Sequence, residues 1–191
     1  VGVFLETAAG TPSDWVMRWS HLVPGGCEVL DVACGGGRHI DWFLRRGHAV
    51  TGVDIDLQAA SPYAARAKLV RADLEHEAWP LMEAGRPKRF GAVVVTNYLW
   101  RPLFELLVQS LTPNGILIYE TFALGNQSVG RPRRAEFLLR EGELLTQCKG
   151  LRVVAYENGF LERPERFVQR IVAVQPDTGL AVPAEPARYP L

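Results

Sequence analysis

Charge of one sign is missing from this 191-residue chain: 21 Lys plus Arg balance 21 Asp plus Glu. No global field therefore draws it to nucleic acid or to an anionic lipid surface. Paired cysteine is also missing. Cys27, Cys34 and Cys148 form no C-x-x-C pair, and their odd number argues against a disulfide scaffold and for a reducing cytoplasm. No apolar run approaches the ~20 residues that span a bilayer. The N-terminal stretch from Val1 shows no basic-then-apolar leader pattern. There is no Gly-x-Ser-x-Gly elbow and no apparent Ser-His-Asp set. His21, His39, His48 and His76 lack metal-ligand spacing, and no internal repeat is visible.

What remains is an ordinary globular composition, 48% apolar and 22% charged, long enough to bury a core. The expected organisation is a single domain over 1–175, with a covering helix at 12–24, and a Pro-rich tail at 176–191. Pro176, Pro183, Pro186 and Pro190 make that tail extended or disordered.

The stretch Val29-Leu-Asp31-Val-Ala33-Cys34-Gly35-Gly36-Gly37-Arg38-His39 organises the rest. A β-rich run ends at Asp31, three glycines follow, and a helix-like segment opens at Arg38. Glycines permit a tight strand-to-helix turn and let backbone approach a ligand. The helix behind offers unpaired N–H groups and the positive end of its dipole. Two ligands suit such a loop, a pyrophosphate or the amino-acid end of S-adenosylmethionine. The dinucleotide fingerprint needs G-x-G-x-x-G, but Ile40 stands where its third glycine belongs. An acid at the strand tip opposes a pyrophosphate and suits an ammonium group.

At these residues the chain resembles motif I of the class I S-adenosylmethionine-dependent methyltransferases, acid-x-Gly-x-Gly-x-Gly, departing from it where Ala33 replaces the first glycine. The resemblance covers roughly residues 12 to 175. It implies an α/β, Rossmann-like doubly wound fold with a mostly parallel seven-stranded sheet and a C-terminal antiparallel hairpin. Residues 131–144 and the closing hairpin are similar to the tellurite-resistance-type methyltransferase group.

The chain in order fits that frame. A helix begins at Thr11-Pro-Ser13-Asp14 and turns Trp15, Val16, Trp19, Leu22 and Val23 to one face, as a covering helix or a lid over the cofactor. Strands are expected at 27–32, 49–54, 69–72, 90–95 and 116–120, and at 151–156 and 167–174 as a hairpin. Helices are expected at 38–46, at 57–67 divided by Pro62, at 103–111 and at 141–147. The segment 123–140 reads as an Arg-rich loop. The 90–95 run is continuously apolar, as in a central strand buried on both faces. Asp54 lies about twenty residues beyond the glycine turn, where an acid binds ribose hydroxyls or caps the next helix.

The resemblance implies S-adenosylmethionine as cofactor. Asp31, Ala33, Cys34, Gly35, Gly37 and Arg38 would surround its methionyl end, Asp54 and Ile55 its ribose and adenine, and Asp73 with Leu74 the adenine edge. Asn97, Tyr98, Arg101, Glu120 and Phe122 would surround the methyl group, Asn97 also touching the cofactor. Tyr98 and Trp100 have ordinary packing as their alternative, and Glu120 a salt bridge to Arg101. Asn97 resembles the Asn of amino-methylating enzymes, but no Pro-Pro-aromatic run follows it, so no amine acceptor is inferred. Arg131, Arg133, Arg134 and Arg140 either receive an anionic acceptor or form a solvated loop face.

The expected activity is methyl transfer to a small molecule by positioning and desolvation. The alternatives are a catalytically idle S-adenosylmethionine-binding adaptor, an RNA methyltransferase and a nicotinamide oxidoreductase. Nucleic acid is disfavoured by the balanced charge, and no membrane role is expected.

Overall fold

The computed structural model describes residues 10–177, 179 and 187–191. In chain order the elements are α1 (Asp14–Trp19), β1 (Glu28–Val32), α2 (Arg38–Leu44), β2 (Ala49–Asp54), β3 (Lys68–Arg71), β4 (Met82–Glu83), β5 (Arg86–Pro87), β6 (Phe90–Thr96), α3 (Phe104–Gln109), β7 (Leu111–Phe122), α4 (Glu143–Gln147), β8 (Arg152–Glu162) and β9 (Glu165–Val174). Seven strands form one sheet in the order β3-β2-β1-β6-β7-β9-β8. The first five run parallel, while β9 is antiparallel to both β7 and β8. The order reverses between β1 and β6, and in open α/β sheets a ligand crevice lies outside the carboxyl ends of the strands at such a switch.

Alternation along the strands divides the core between the two sheet faces. Val29, Val50, Ala92, Val94, Ile116 and Ile118 face α1 and α2, where Trp15, Trp19, Ile40 and Phe43 are buried. Leu30, Val53, Val93, Val95, Leu117 and Tyr119 pack under Leu103, Phe104 and Leu107 of the α3 region and Leu144 of α4. β6 is buried along its whole length, as its apolar run demands.

Several elements differ from the sequence expectation. The 57–67 segment is not helical. It makes turns and one 3-10 segment, Ser61–Tyr63, because Pro62 supplies no N–H and Asp56 Oδ1 takes the Gln58 N–H in a tight turn. Thr112–Gly115 belongs to β7, where a register shift opposite Phe90/Ala92 absorbs it as an irregularity. β8 and β9 are longer than expected: Asn158 and Gly159 suggest a break, yet they pair with Gln169 and Val168. The polar 75–88 connection contains the small β4–β5 ribbon, and Trp79 and Leu81 return to the core. Pro183 and Pro186 of the tail lie outside the described residues, as do residues 1–9.

Candidate functional site

The glycine loop is held by backbone. Cys34 N–H donates to Val53 O (3.1 Å) and Gly37 N–H to Cys34 O (2.9 Å), closing the turn between β1 and α2. Ala33, Gly35 and Gly37 all have positive φ, at 53°, 51° and 79°. A Cβ on Gly37 would lie 2.8 Å from the Tyr63 ring, so glycine is required there by space as well as by torsion. Gly35 differs: a Cβ there meets no atom within 4 Å, and its backbone faces open cleft. Its N–H donates to Asp54 Oδ2 (2.8 Å), while Asp54 Oδ1 accepts from Asp56 N–H (3.0 Å). One carboxylate thus joins the first strand-to-helix turn to the tip of β2.

Asp31 lies just before this turn, 1% exposed, and its Oδ2 has no hydrogen-bond donor among the described residues. Burial pushes its carboxyl up to about 8, with Asp54 acting the same way and Arg38 opposing. His39 is equally buried, and burial, with Arg38 adding, holds its ring down to about 3. Its Nε2 accepts from Ser13 N–H (3.1 Å), which puts the ring proton on Nδ1, 3.8 Å from Asp31 Oδ1. Ser13 Oγ donates to Glu120 Oε1 (2.9 Å) and accepts from Trp15 N–H (3.1 Å). The N-cap of α1 therefore docks on the cofactor-loop histidine and on β7 at once.

Three cavities line the carboxyl ends of the strands and meet at Tyr98. The first, of about 350 Å³, is walled by Ala33, Asp54, Ile55, Leu74, Glu75 and Tyr98, with Ala72, Asp73 and His76 also facing it. The second, of about 240 Å³, is walled by Ala33–Gly36, Arg38, His39, Thr96, Asn97 and Tyr98. The third, of about 210 Å³, takes in Glu75, Asn97, Tyr98, Leu99, Thr121, Phe122, Pro132 and Phe137. Tyr98 is held by Tyr119, whose hydroxyl donates to Tyr98 O (2.8 Å). Burial raises the Tyr98 phenol, and the nearby carboxylates of Glu75, Asp73 and Asp54 act the same way. Asn97 sits at φ 55°, with its N–H donating to Glu120 O (2.9 Å).

The expected cofactor residues Ala33, Cys34, Gly35, Arg38, Asp54, Ile55, Asp73, Leu74 and Asn97 all line the first or second cavity. Gly37 supports the loop from behind. Cys34 is buried, and burial raises its thiol, so it is a packing group. Asp73 has local work already: Oδ1 accepts from Glu75 and His76 N–H (3.0 and 3.2 Å), and Oδ2 faces His76 Nδ1 (3.0 Å).

Arg101 and Glu120 stand apart from the cavity walls and from each other. Arg101 donates to Glu143 (2.6 and 3.0 Å), Glu136 O (2.6 Å) and Leu138 O (2.9 Å), which staples the 123–140 loop to α4. Glu120 is 1% exposed and pairs with Arg170 (3.2 Å) and Arg166 (3.6 Å) rather than with Arg101. Trp100 packs against the core. Arg131, Arg133, Arg134 and Arg140 are exposed and line none of the three cavities.

Sequence reasoning missed Glu75, Thr121, Pro132 and Phe137. Glu75 carries a weak signal, two residues past the acid of a strand tip. Thr121 lies between the candidates Glu120 and Phe122, and Pro132 and Phe137 fall in the 131–144 run, but nothing local places them at a cavity, because a loop far along the chain folds back to supply or support them. Among the described residues no group of three or more His, Cys, Asp or Glu is arranged to hold a metal ion, and no helix is long and apolar enough to cross a membrane.

Residues 29–115 match the family described as methyltransferase domain. No curated protein matches the chain. Among solved structures, TehB from Haemophilus influenzae superposes with a TM-score of 0.65 at 18% identity, over 85% of this chain but 61% of that one, so this chain spans less than two thirds of its length. A TehB-like S-adenosylmethionine-dependent methyltransferase from Corynebacterium glutamicum gives 0.61 at 20% identity, over 88% and 91% of the two chains. The Burkholderia thailandensis 1,6-didemethyltoxoflavin-N1-methyltransferase, solved with 1,6-didemethyltoxoflavin and S-adenosylhomocysteine, gives 0.62 at 18% identity, over 90% and 80%. At these identities the likeness is one of fold.

Proposed function

We propose that the chain is a class I methyltransferase that uses S-adenosylmethionine, and that the reaction is methyl transfer to a small molecule held in the third cavity. The observation that carries this reading is the meeting of three cavities at Tyr98, two toward the glycine loop and strand tips and one toward the 123–140 loop.

The residues present suit the cofactor. Asp31 has a buried oxygen without a donor, which an ammonium group would supply. Arg38, whose hydrogen bonds among the described residues are the long ones to Thr11 O (3.3 Å) and Thr96 Oγ1 (3.4 Å), offers its guanidinium to a carboxylate. The open face of Gly35 lets the methionyl chain lie against backbone. Asp54 suits two vicinal hydroxyls, and Ile55 with Leu74 a flat base. When bound, S-adenosylmethionine supplies a methyl group already activated by a sulfonium cation.

The chain's own part is then orientation and exclusion of water. Tyr98, Phe122 and Phe137 wall the junction, and their ring faces favour a cation. Orientation of this kind contributes up to about 7–11 kcal/mol to a transfer between two bound groups. Arg101 and Glu120 act at a distance, one stapling the loop that carries Phe137 and the other fixing the segment that carries Asn97.

A nicotinamide cofactor suits this loop less well, since Ile40 is fully buried where a dinucleotide fingerprint has its third glycine. Calorimetric titration with S-adenosylmethionine, S-adenosylhomocysteine and NADH tests the reading. Binding of the two sulfur ligands at micromolar levels, weakened in Asp54→Ala, supports it, and binding of NADH alone overturns it. Cofactor binding without turnover on any acceptor class would favour the idle adaptor.

A further inference from the structure

Charge at the third cavity bears on which acceptor it takes. Among the described residues its wall contains a carboxylate, Glu75, the polar side chains of Asn97 and Thr121, and the rings of Tyr98, Phe122 and Phe137, but no cationic side chain. Asp54 and Asp73 lie next to it in the first cavity, and Arg38 in the second, where the cofactor's carboxylate would take up its charge. All three carboxylates act on the Tyr98 phenol, which stands at the junction. Arg133 and Arg134 of the loop, and Arg101 beside it, are turned to other partners. Arg133 Nε donates to Gly130 O (3.4 Å), and Arg134 pairs with Glu136 and lies over the Phe137 ring, 5.3 Å from its centre. Arg101 is spent on Glu143 and two loop carbonyls.

An anionic acceptor would therefore enter a space whose wall holds one negative charge and, among the described residues, no positive one, with two more acids beside it and the Arg38 cation beyond Asn97 given to the cofactor. The converse acceptor meets three favourable terms: a hydrogen-bond acceptor in Glu75, aromatic faces that favour a flat or partly cationic ring, and no competing cation among the described residues of that wall.

We propose that the acceptor is a flat, nitrogen-bearing molecule with an N–H donor, a heteroaromatic amine in class, recognised by the Glu75 carboxylate. This deepens the methyl-transfer reading and rests on it. The acceptor nitrogen's lone pair forms the new N–C bond as the C–S bond breaks with its electron pair onto sulfur, leaving the neutral thioether S-adenosylhomocysteine. The nitrogen's proton passes to the Glu75 carboxylate and from there to solvent.

The test uses the whole chain loaded with S-adenosylhomocysteine and three matched probes: quinolines carrying an amine, a thiol or a carboxylate. Calorimetry is expected to show the amine binding about tenfold or more tighter than the carboxylate, a difference of about 1.4 kcal/mol. Glu75→Gln is expected to narrow that preference to about threefold or less, and Arg133→Ala to leave it unchanged. In turnover with S-adenosylmethionine, mass spectrometry is expected to find the methyl group on nitrogen. Tighter binding of the carboxylate or thiol overturns the proposal. So does an amine preference that survives in Glu75→Gln, or failure of all three probes to bind a protein that holds S-adenosylhomocysteine. If S-adenosylhomocysteine itself does not bind, the methyltransferase reading has failed before the acceptor is in question.

Discussion

The proposed cofactor half of the cleft hangs on the ends of adjacent parallel strands, β1, β2 and β3, and on the turns that leave them. The proposed acceptor half draws its walls from Glu75 after β3, from the tips of β6 and β7, and from Pro132 and Phe137 of a long loop. In the first half the ligand-facing atoms are largely backbone and short acids, fixed by torsion and by single hydrogen bonds such as Gly35 N–H to Asp54. In the second they are side chains, held by remote staples: Arg101 on Glu143, and Glu120 on Arg166 and Arg170. A backbone cradle tolerates little change for one ligand. A wall of side chains on a stapled loop can be rebuilt for different ones.

The largest expected effect falls on a staple. Glu120→Ala removes the buried acceptor of two arginines and Ser13, and urea denaturation should show a loss of about 3–5 kcal/mol. An unchanged midpoint would mean that these pairs do not brace the acceptor half. Next comes the cradle itself. Gly37→Ala forces a side chain into positive φ and into the Tyr63 ring, at an expected cost of about 2–4 kcal/mol in thermal unfolding. Asp54→Ala should weaken S-adenosylhomocysteine binding by about 1.5–3 kcal/mol, roughly 10- to 150-fold, with the fold retained by circular dichroism.

A smaller, diagnostic effect concerns protons. Burial raises the folded Asp31 carboxyl to about 8, above its unfolded value, so the stability it lends is present below about pH 4 and is lost as pH rises through about 8. At pH 7 the group is mostly protonated. A ligand ammonium beside it favours the carboxylate, so binding should release up to about one proton. Titration of S-adenosylhomocysteine in two buffers of different ionisation enthalpy should reveal that release, and Asp31→Asn should abolish it. The smallest effect is a gain. Ala33→Gly relieves the positive φ of Ala33 and should stabilise the fold by about 0.5–1 kcal/mol, part of the relief being offset by glycine's freedom in the unfolded chain.

The same contrast governs what could be read from the sequence. Asp31, Gly35, Asp54 and Asp73 could be named as candidates because a strand tip, a turn and an acid are neighbours in the chain. β6 was legible too, its apolar run being continuous from Phe90 to Val95. The 57–67 segment misled because its alanines favour helix, whereas the turn chemistry of Asp56 and Pro62 won. Arg101 and Glu120 were found as polar residues near strand ends, but their partners lie 42 and 50 residues away in the chain and no local pattern announces them. Phe137 entered the acceptor wall by the folding of a loop, beyond the reach of periodicity.

The most direct measurement is a crystal structure of the chain with S-adenosylhomocysteine. The account predicts adenine against Ile55 and Leu74, ribose hydroxyls on Asp54, the ammonium beside Asp31, and the sulfur turned toward the third cavity at Tyr98. A ligand whose sulfur faces away from that cavity, or whose amino-acid end leaves Asp31 without a donor, would contradict it.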